Sequence, residues 1–175
     1  SALEASTYLK TLRSILRYIG VSEADMEKGQ FRCDVNVSIR PVGSEEFGTR
    51  TECKNLNSFR FVEEAIEAEI ERQTEVLEAG GEIVQATLAF DSVRQTTKIL
   101  REKENADDYR YFADPDLIPL MISEEQIESV RESLPELPEA RTARFRSEYG
   151  LSDHDAHLLT SSLALADFFE AAAGV

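Results

Sequence analysis

The chain has 175 residues, 42% of them hydrophobic, with 19 basic side chains against 34 acidic ones and a formal net charge of -15. The apolar share allows a packed core and excludes wholesale disorder, and the length suits one domain or a compact unit with a short second one. The charge excludes binding of DNA or RNA through bulk electrostatics and is repelled by anionic membranes.

No apolar run is long enough to span a bilayer, and the opening Ser1-Ala2-Leu3-Glu4-Ala5 has neither the basic nor the apolar region of a signal peptide. Two cysteines, Cys33 and Cys53, are too few for a disulfide framework or a four-cysteine zinc site. A reduced, cytoplasmic setting is therefore expected. The sequence opens on a helical pattern with neither cap nor methionine, which is expected of a segment from inside a larger protein.

Leu9, Leu12, Ile15, Leu16 and Ile19 recur at helical spacing and predict a helix over 6–19, closed by Gly20. Residues 31–40 alternate without a break. Phe31, Cys33, Val35, Val37 and Ile39 share one face, and Arg32, Asp34, Asn36, Ser38 and Arg40 share the other. Residues 49–55 predict the returning strand of a hairpin. Asn57 or Ser58 can cap a long helix to about Ala79, which Gly80-Gly81 stops. Strands are predicted at 82–90 and 93–100. Residues 105–119 read as an aromatic, polar loop of the kind that carries function. Ser123-Glu124-Glu125-Gln126 is a capping box for a helix to about Leu134. Pro135 and Pro138 bound a linker, and short helices follow at 139–149, 152–160 and 163–172. The fold class is α+β: an antiparallel sheet with helices over 1–122, then a small all-helical domain over 123–175.

Antiparallel pairing of 31–40 with 49–55 puts Asp34 and Glu52 on one face of the sheet. Two carboxylates suit Mg²⁺, which keeps waters and substrate phosphates as its other ligands. Asn36 adds an amide, and Arg32, Arg40, Arg50 and Lys54 suit phosphate oxygens. That set fits an ATP-dependent phosphoryl or acyl transfer. On pattern alone, a solvated face with cross-strand ion pairs is the readier reading. Cys33 and Cys53 lie on the apolar faces as buried thiols, and His154 and His157 lack a second ligand cluster. In Asp107-Asp108-Tyr109-Arg110-Tyr111-Phe112, Arg110 suits phosphate or carboxylate and the tyrosines suit stacking; a loop held by buried aromatics is an equal alternative.

Arg32-Cys33-Asp34-Val35-Asn36-Val37-Ser38, then Glu46-Phe47-Gly48-Thr49-Arg50, then Glu52-Cys53-Lys54-Asn55-Leu56-Asn57-Ser58-Phe59 resemble the B-subunit family of aspartyl/glutamyl-tRNA(Asn/Gln) amidotransferases (GatB). Asp108-Tyr109-Arg110-Tyr111-Phe112 with Asp114-Pro115-Asp116-Leu117 is similar to its next signature, and Leu134-Pro135-Glu136-Leu137-Pro138 to the linker into its helical domain. The resemblance covers nearly the whole chain. It differs from the family's pattern at Cys53, Glu102 and Ala113, none of which removes a carboxylate.

The resemblance implies an internal fragment: the second half of a cradle-shaped ATP- and Mg²⁺-dependent domain and the start of the helical one. It implies a carbon–nitrogen ligase in protein biosynthesis, working with the amidotransferase subunits GatA and GatC in a GatCAB heterotrimer. GatB phosphorylates the side-chain carboxylate of mischarged Glu-tRNA(Gln) or Asp-tRNA(Asn), and ammonia from glutamine hydrolysis in GatA displaces the phosphate. It implies Asp34 and Glu52 as the carboxylates that line the site; with the reading of the residues above, Asp34, Glu52 and Lys54 are expected to be catalytic, Asp34 and Glu52 to hold the metal, and Arg32, Asn36, Arg50 and Arg110 to bind ATP. Half of the cradle and the tRNA-gripping tail lie outside this sequence, so the fragment is expected to be inactive alone. The competing expectation is a non-catalytic assembly module with a solvated polar hairpin.

Overall fold

The structure, a computed structural model, describes residues 1–102 and 112–174. Among them the order is helix α1 (Ala2–Tyr18), strands β1 (Cys33–Val37) and β2 (Thr51–Leu56), helix α2 (Phe59–Glu78), strands β3 (Ala86–Asp91) and β4 (Thr96–Glu102), then helices α3 (Glu124–Ser133), α4 (Pro138–Tyr149), α5 (Asp153–Leu159) and α6 (Leu163–Ala173). The α+β class follows directly. Two compact units divide the chain. One is built from the described residues of Ser1–Lys10 and Asp25–Arg110, the other from those of Thr11–Ala24 and Tyr111–Val175.

In the first unit the strands lie side by side in chain order, β1-β2-β3-β4. The two hairpins β1/β2 and β3/β4 are antiparallel, but β2 and β3 run parallel. The expected antiparallel sheet is therefore mixed. The reason is α2, which carries the chain back along the sheet so that β3 restarts in the direction of β2. Ser58 opens α2, its hydroxyl accepting from the Phe61 N–H at 3.1 Å. Gly80 closes it at φ +78°, where its N–H reaches the Leu77 carbonyl and the Gly81 N–H reaches the Val76 carbonyl. This is a left-handed cap that a side chain at position 80 would strain.

The strand predicted over 31–40 is shorter, ending at Val37, and its partner carries a bulge. Val35 pairs with Cys53 but Cys33 pairs with Leu56, so Lys54 and Asn55 together oppose Asp34. Asn55 takes up the extra residue at φ +62°, a conformation Asn tolerates better than most residues. The bulge breaks the two-residue period, so that Leu56 joins the core at 5% exposure while Asn55 is exposed. Cys53, Leu56, Ala86 and Leu88 from the sheet pack with Val62, Ala65 and Ile66 of α2 and with Ala2 and Leu9 of α1.

In the second unit, Phe145, Ala156 and Ala166 form a small core with Leu151, Leu159 and Phe169 against it. The Tyr18 hydroxyl donates to the Thr160 carbonyl at 2.6 Å. Buried Arg141 pairs with Asp167 and Glu170. The helix break expected at Pro135–Pro138 is present: α3 stops at Ser133 and Pro138 starts α4 at its first position. The capping box at Ser123 and Gln126 is formed in both directions.

Candidate active site

Alternation along β1 and β2 sends Thr51 and Cys53 toward α2 and Glu52 and Lys54 to the opposite face. Lys54 sits between two carboxylates, its Nζ 3.1 Å from Asp34 Oδ2 and 3.5 Å from Glu52 Oε1. Asn36 lies directly across from Glu52 in the register. From the far side, the buried Thr87 of β3 donates its hydroxyl to Glu52 Oε2 at 3.3 Å. The hydrogen bond to Asp34 holds the Lys54 ammonium above its ordinary range against desolvation, with the negative charges of Asp34 and Glu52 adding to it.

Asp34, Glu52, Lys54 and Asn36 are thus gathered on one face of the β1–β2 hairpin. Arg32 and Arg50 flank it on either strand end, both exposed and with no ion pair among the described residues. Arg110 lies outside the described residues, as do Tyr109 and Tyr111; Phe112 is exposed. A cleft of about 260 Å³ opens beside Asp34, with Met26, Phe31, Arg32, Asn55 and Asn57 in its walls. It offers an apolar side, two amides and a guanidinium beside the Asp34 carboxylate.

Burial raises both cysteine thiols above their ordinary range. Cys53 is fully buried, and desolvation, with the negative charge of Glu69 adding to it, pushes its thiol up to about 12. Cys33 is half-buried and desolvation raises it too. No group of three or more His, Cys, Asp or Glu side chains among the described residues is arranged to hold a metal ion, and His157 instead contacts its own helix through the Asp153 carbonyl.

Two features behind the site were not singled out in the sequence. Thr87 sits in a run that reads simply as strand. The other is a polar cluster on the reverse face. Glu69 of α2 is fully buried and accepts from Thr51 of β2 at 2.6 Å, Thr97 of β4 at 2.8 Å, Gln73 at 2.8 Å and Arg72 at 2.6 and 2.9 Å. Burial alone would raise the Glu69 carboxyl, but the hydrogen bonds from Arg72, Thr51, Gln73 and Thr97 outweigh it and hold it below the usual range.

Residues 1–128 match the family model of the GatB/GatE catalytic domain. The chain belongs to this family. It is 58% identical over 172 residues to the B subunit of aspartyl/glutamyl-tRNA(Asn/Gln) amidotransferase from Hahella chejuensis, covering 98% of this chain and 36% of that protein. The proteins of the same name from Nitrosococcus oceani and Persephonella marina are 56% and 57% identical over 98% and 100% of this chain. The chain thus spans little more than a third of the length of these relatives.

Proposed function

We propose that the chain is the part of a longer GatB protein that carries one wall of its ATP-dependent activation site. The parent protein uses ATP to phosphorylate the side-chain carboxylate of Glu-tRNA(Gln) or Asp-tRNA(Asn). Ammonia released by GatA then displaces the phosphate to leave the amide. GatA and GatC are its partners and the cytoplasm its location. The observation that carries this reading is the pairing of Asp34 and Glu52 around Lys54 in a chain 58% identical to such a protein.

The donor set suits the chemistry. Asp34 and Glu52 offer two carboxylates, the number with which Mg²⁺ is commonly held while phosphates and waters complete its shell. When bound, the metal would neutralise phosphate oxygens that otherwise repel the attacking carboxylate. Lys54, freed from its bridge, would turn its ammonium to a phosphate oxygen, and Arg32, Arg50 and Arg110 would bind others. Asn36 orients by hydrogen bonding. With only two carboxylates, this wall needs the rest of the domain, so the fragment alone is inactive.

The competing reading is an assembly module with a solvated polar face. The partial exposure of Asp34 and Lys54 favours it, at 39% and 32% of the side chain. One experiment separates the two. In full-length GatB within the assembled complex, Asp34→Asn and Glu52→Gln each keep shape and remove one charge. Conversion of Glu-tRNA to Gln-tRNA should fall roughly a hundredfold, an effect of about 3 kcal/mol, while glutamine hydrolysis persists. Near wild-type conversion in both variants would leave only the assembly reading.

A further inference from the structure

The Glu69 cluster lies directly behind the site. Thr51, which donates to Glu69 on the α2 face, is the residue before Glu52, which points to the other face. Gln73, one turn along α2, donates to the Val37 carbonyl at 3.1 Å and to Thr51 Oγ1 at 2.9 Å, and its Oε1 accepts from the Ile39 N–H at 3.2 Å. Two side chains of one helix therefore hold the end of β1, the start of β2 and, through Thr97, the edge strand β4.

A packing role alone does not account for this arrangement. Burying a carboxylate costs several kcal/mol before its partners repay it, and an apolar side chain of similar volume commonly stabilises as well or better. What such a cluster adds is register. A slip of one residue between β1 and β2 would turn Glu52 and Lys54 to the α2 face and part them from Asp34. An apolar contact tolerates a slip more readily than five directed hydrogen bonds do.

We propose that Glu69, with Gln73, is the positioning residue of the Asp34–Glu52–Lys54 site, fixing from the reverse face the strand register that sets the two carboxylates about the ammonium. It touches none of the reacting groups and acts through Thr51 and the backbone of β2. This rests on the reading of the site given under Proposed function.

The test uses full-length GatB in its assembled complex, with Glu69→Gln and Thr51→Val, both of which preserve volume. Each preparation is scored for folded fraction by thermal melting, then for kcat, for KM toward the mischarged tRNA, and for the Mg²⁺ concentration giving half-maximal rate. Misplacing a reacting group by about 1 Å costs up to a hundredfold. The expected result is a kcat lower by roughly tenfold to a hundredfold per folded molecule. Half-saturation should move to higher Mg²⁺, with KM for tRNA unchanged and partial rescue by Glu69→Asp. A purely structural role would reduce the folded fraction and leave the Mg²⁺ dependence of the surviving molecules as in wild type, and that result overturns the proposal. Should Glu69→Gln fail to fold, Thr51→Val decides by the same measures. Asp34→Asn and Glu52→Gln run alongside. If they are inactive while Glu69→Gln and Thr51→Val behave as wild type, this inference alone fails. If they are active, the reading of the site has failed first.

Discussion

Asn55 offers a direct way to test whether the β2 bulge is built by backbone conformation. Its φ of +62° places it in the left-handed region, where an ordinary L residue costs about 1–2 kcal/mol. Asn55→Gly removes that strain but adds freedom to the unfolded chain, an opposing effect of about 0.5–1 kcal/mol, so the net change should be near zero. Asn55→Val meets the strain in full, with a β-branched side chain. If the strand escapes by closing the bulge, Leu56 leaves the core, and its burial is worth about 2 kcal/mol. Either way the loss is about 2 kcal/mol. Urea unfolding of the chain with a slope of about 1–3 kcal/mol per M should place the Val variant's midpoint roughly 1 M below wild type, and the Gly variant's beside it. Equal losses in the two variants would refute the reasoning, because the side-chain amide, and not φ, would then be what the position requires.

The cysteines should differ in reactivity: at pH 8 a disulfide reagent should label half-buried Cys33 first, and Cys53 only once denaturant is added. Equal labelling rates in the native protein would contradict the burial of Cys53. In the helical unit, Phe145 is fully buried, 5.0 Å from the Phe169 ring and 5.4 Å from Tyr149. Phe145→Ala should cost about 3–5 kcal/mol; near-UV circular dichroism and a melt of the 163–173 helix would read it, and a loss under 1 kcal/mol would mean that this core is not packed as described.

Much of this is legible in the sequence because local signals agree with the fold. The alternation from Phe31 to Ile39 places Asp34 and Asn36 on one face, and the return strand adds Glu52 and Lys54 to it. Ser58 and Ser123 mark helix starts through their hydroxyls, and Gly80 and Pro138 mark a helix end and a helix start through their backbone conformation. What stays hidden depends on partners distant in sequence. Glu69 looks like one acid among many on a charged helix, and only the arrival of Thr51 and Thr97 makes it a buried acceptor. Thr87 gains meaning from a parallel neighbour 35 residues away. The bulge escapes notice because Asn55 continues a polar stretch; the one hint is that Leu56 falls out of step with Thr51 and Cys53.

The mixed sheet also sets an order of events during folding. Val37 and Thr51, paired across the first hairpin, are 14 residues apart, whereas Glu52 and Thr87, paired across the parallel junction, are 35 apart. Loop closure makes the second pairing only about 0.8 kcal/mol costlier, a few-fold in rate. The greater delay is that β3 has nowhere to dock until α2 has formed and turned back along the sheet. The hairpin bearing Asp34, Glu52 and Lys54 can therefore meet early, as a loose pair of strands free to slide. It becomes a single arrangement only when α2 docks and Glu69 and Gln73 take up Thr51, Val37 and Ile39, so the site can assemble early and is locked later.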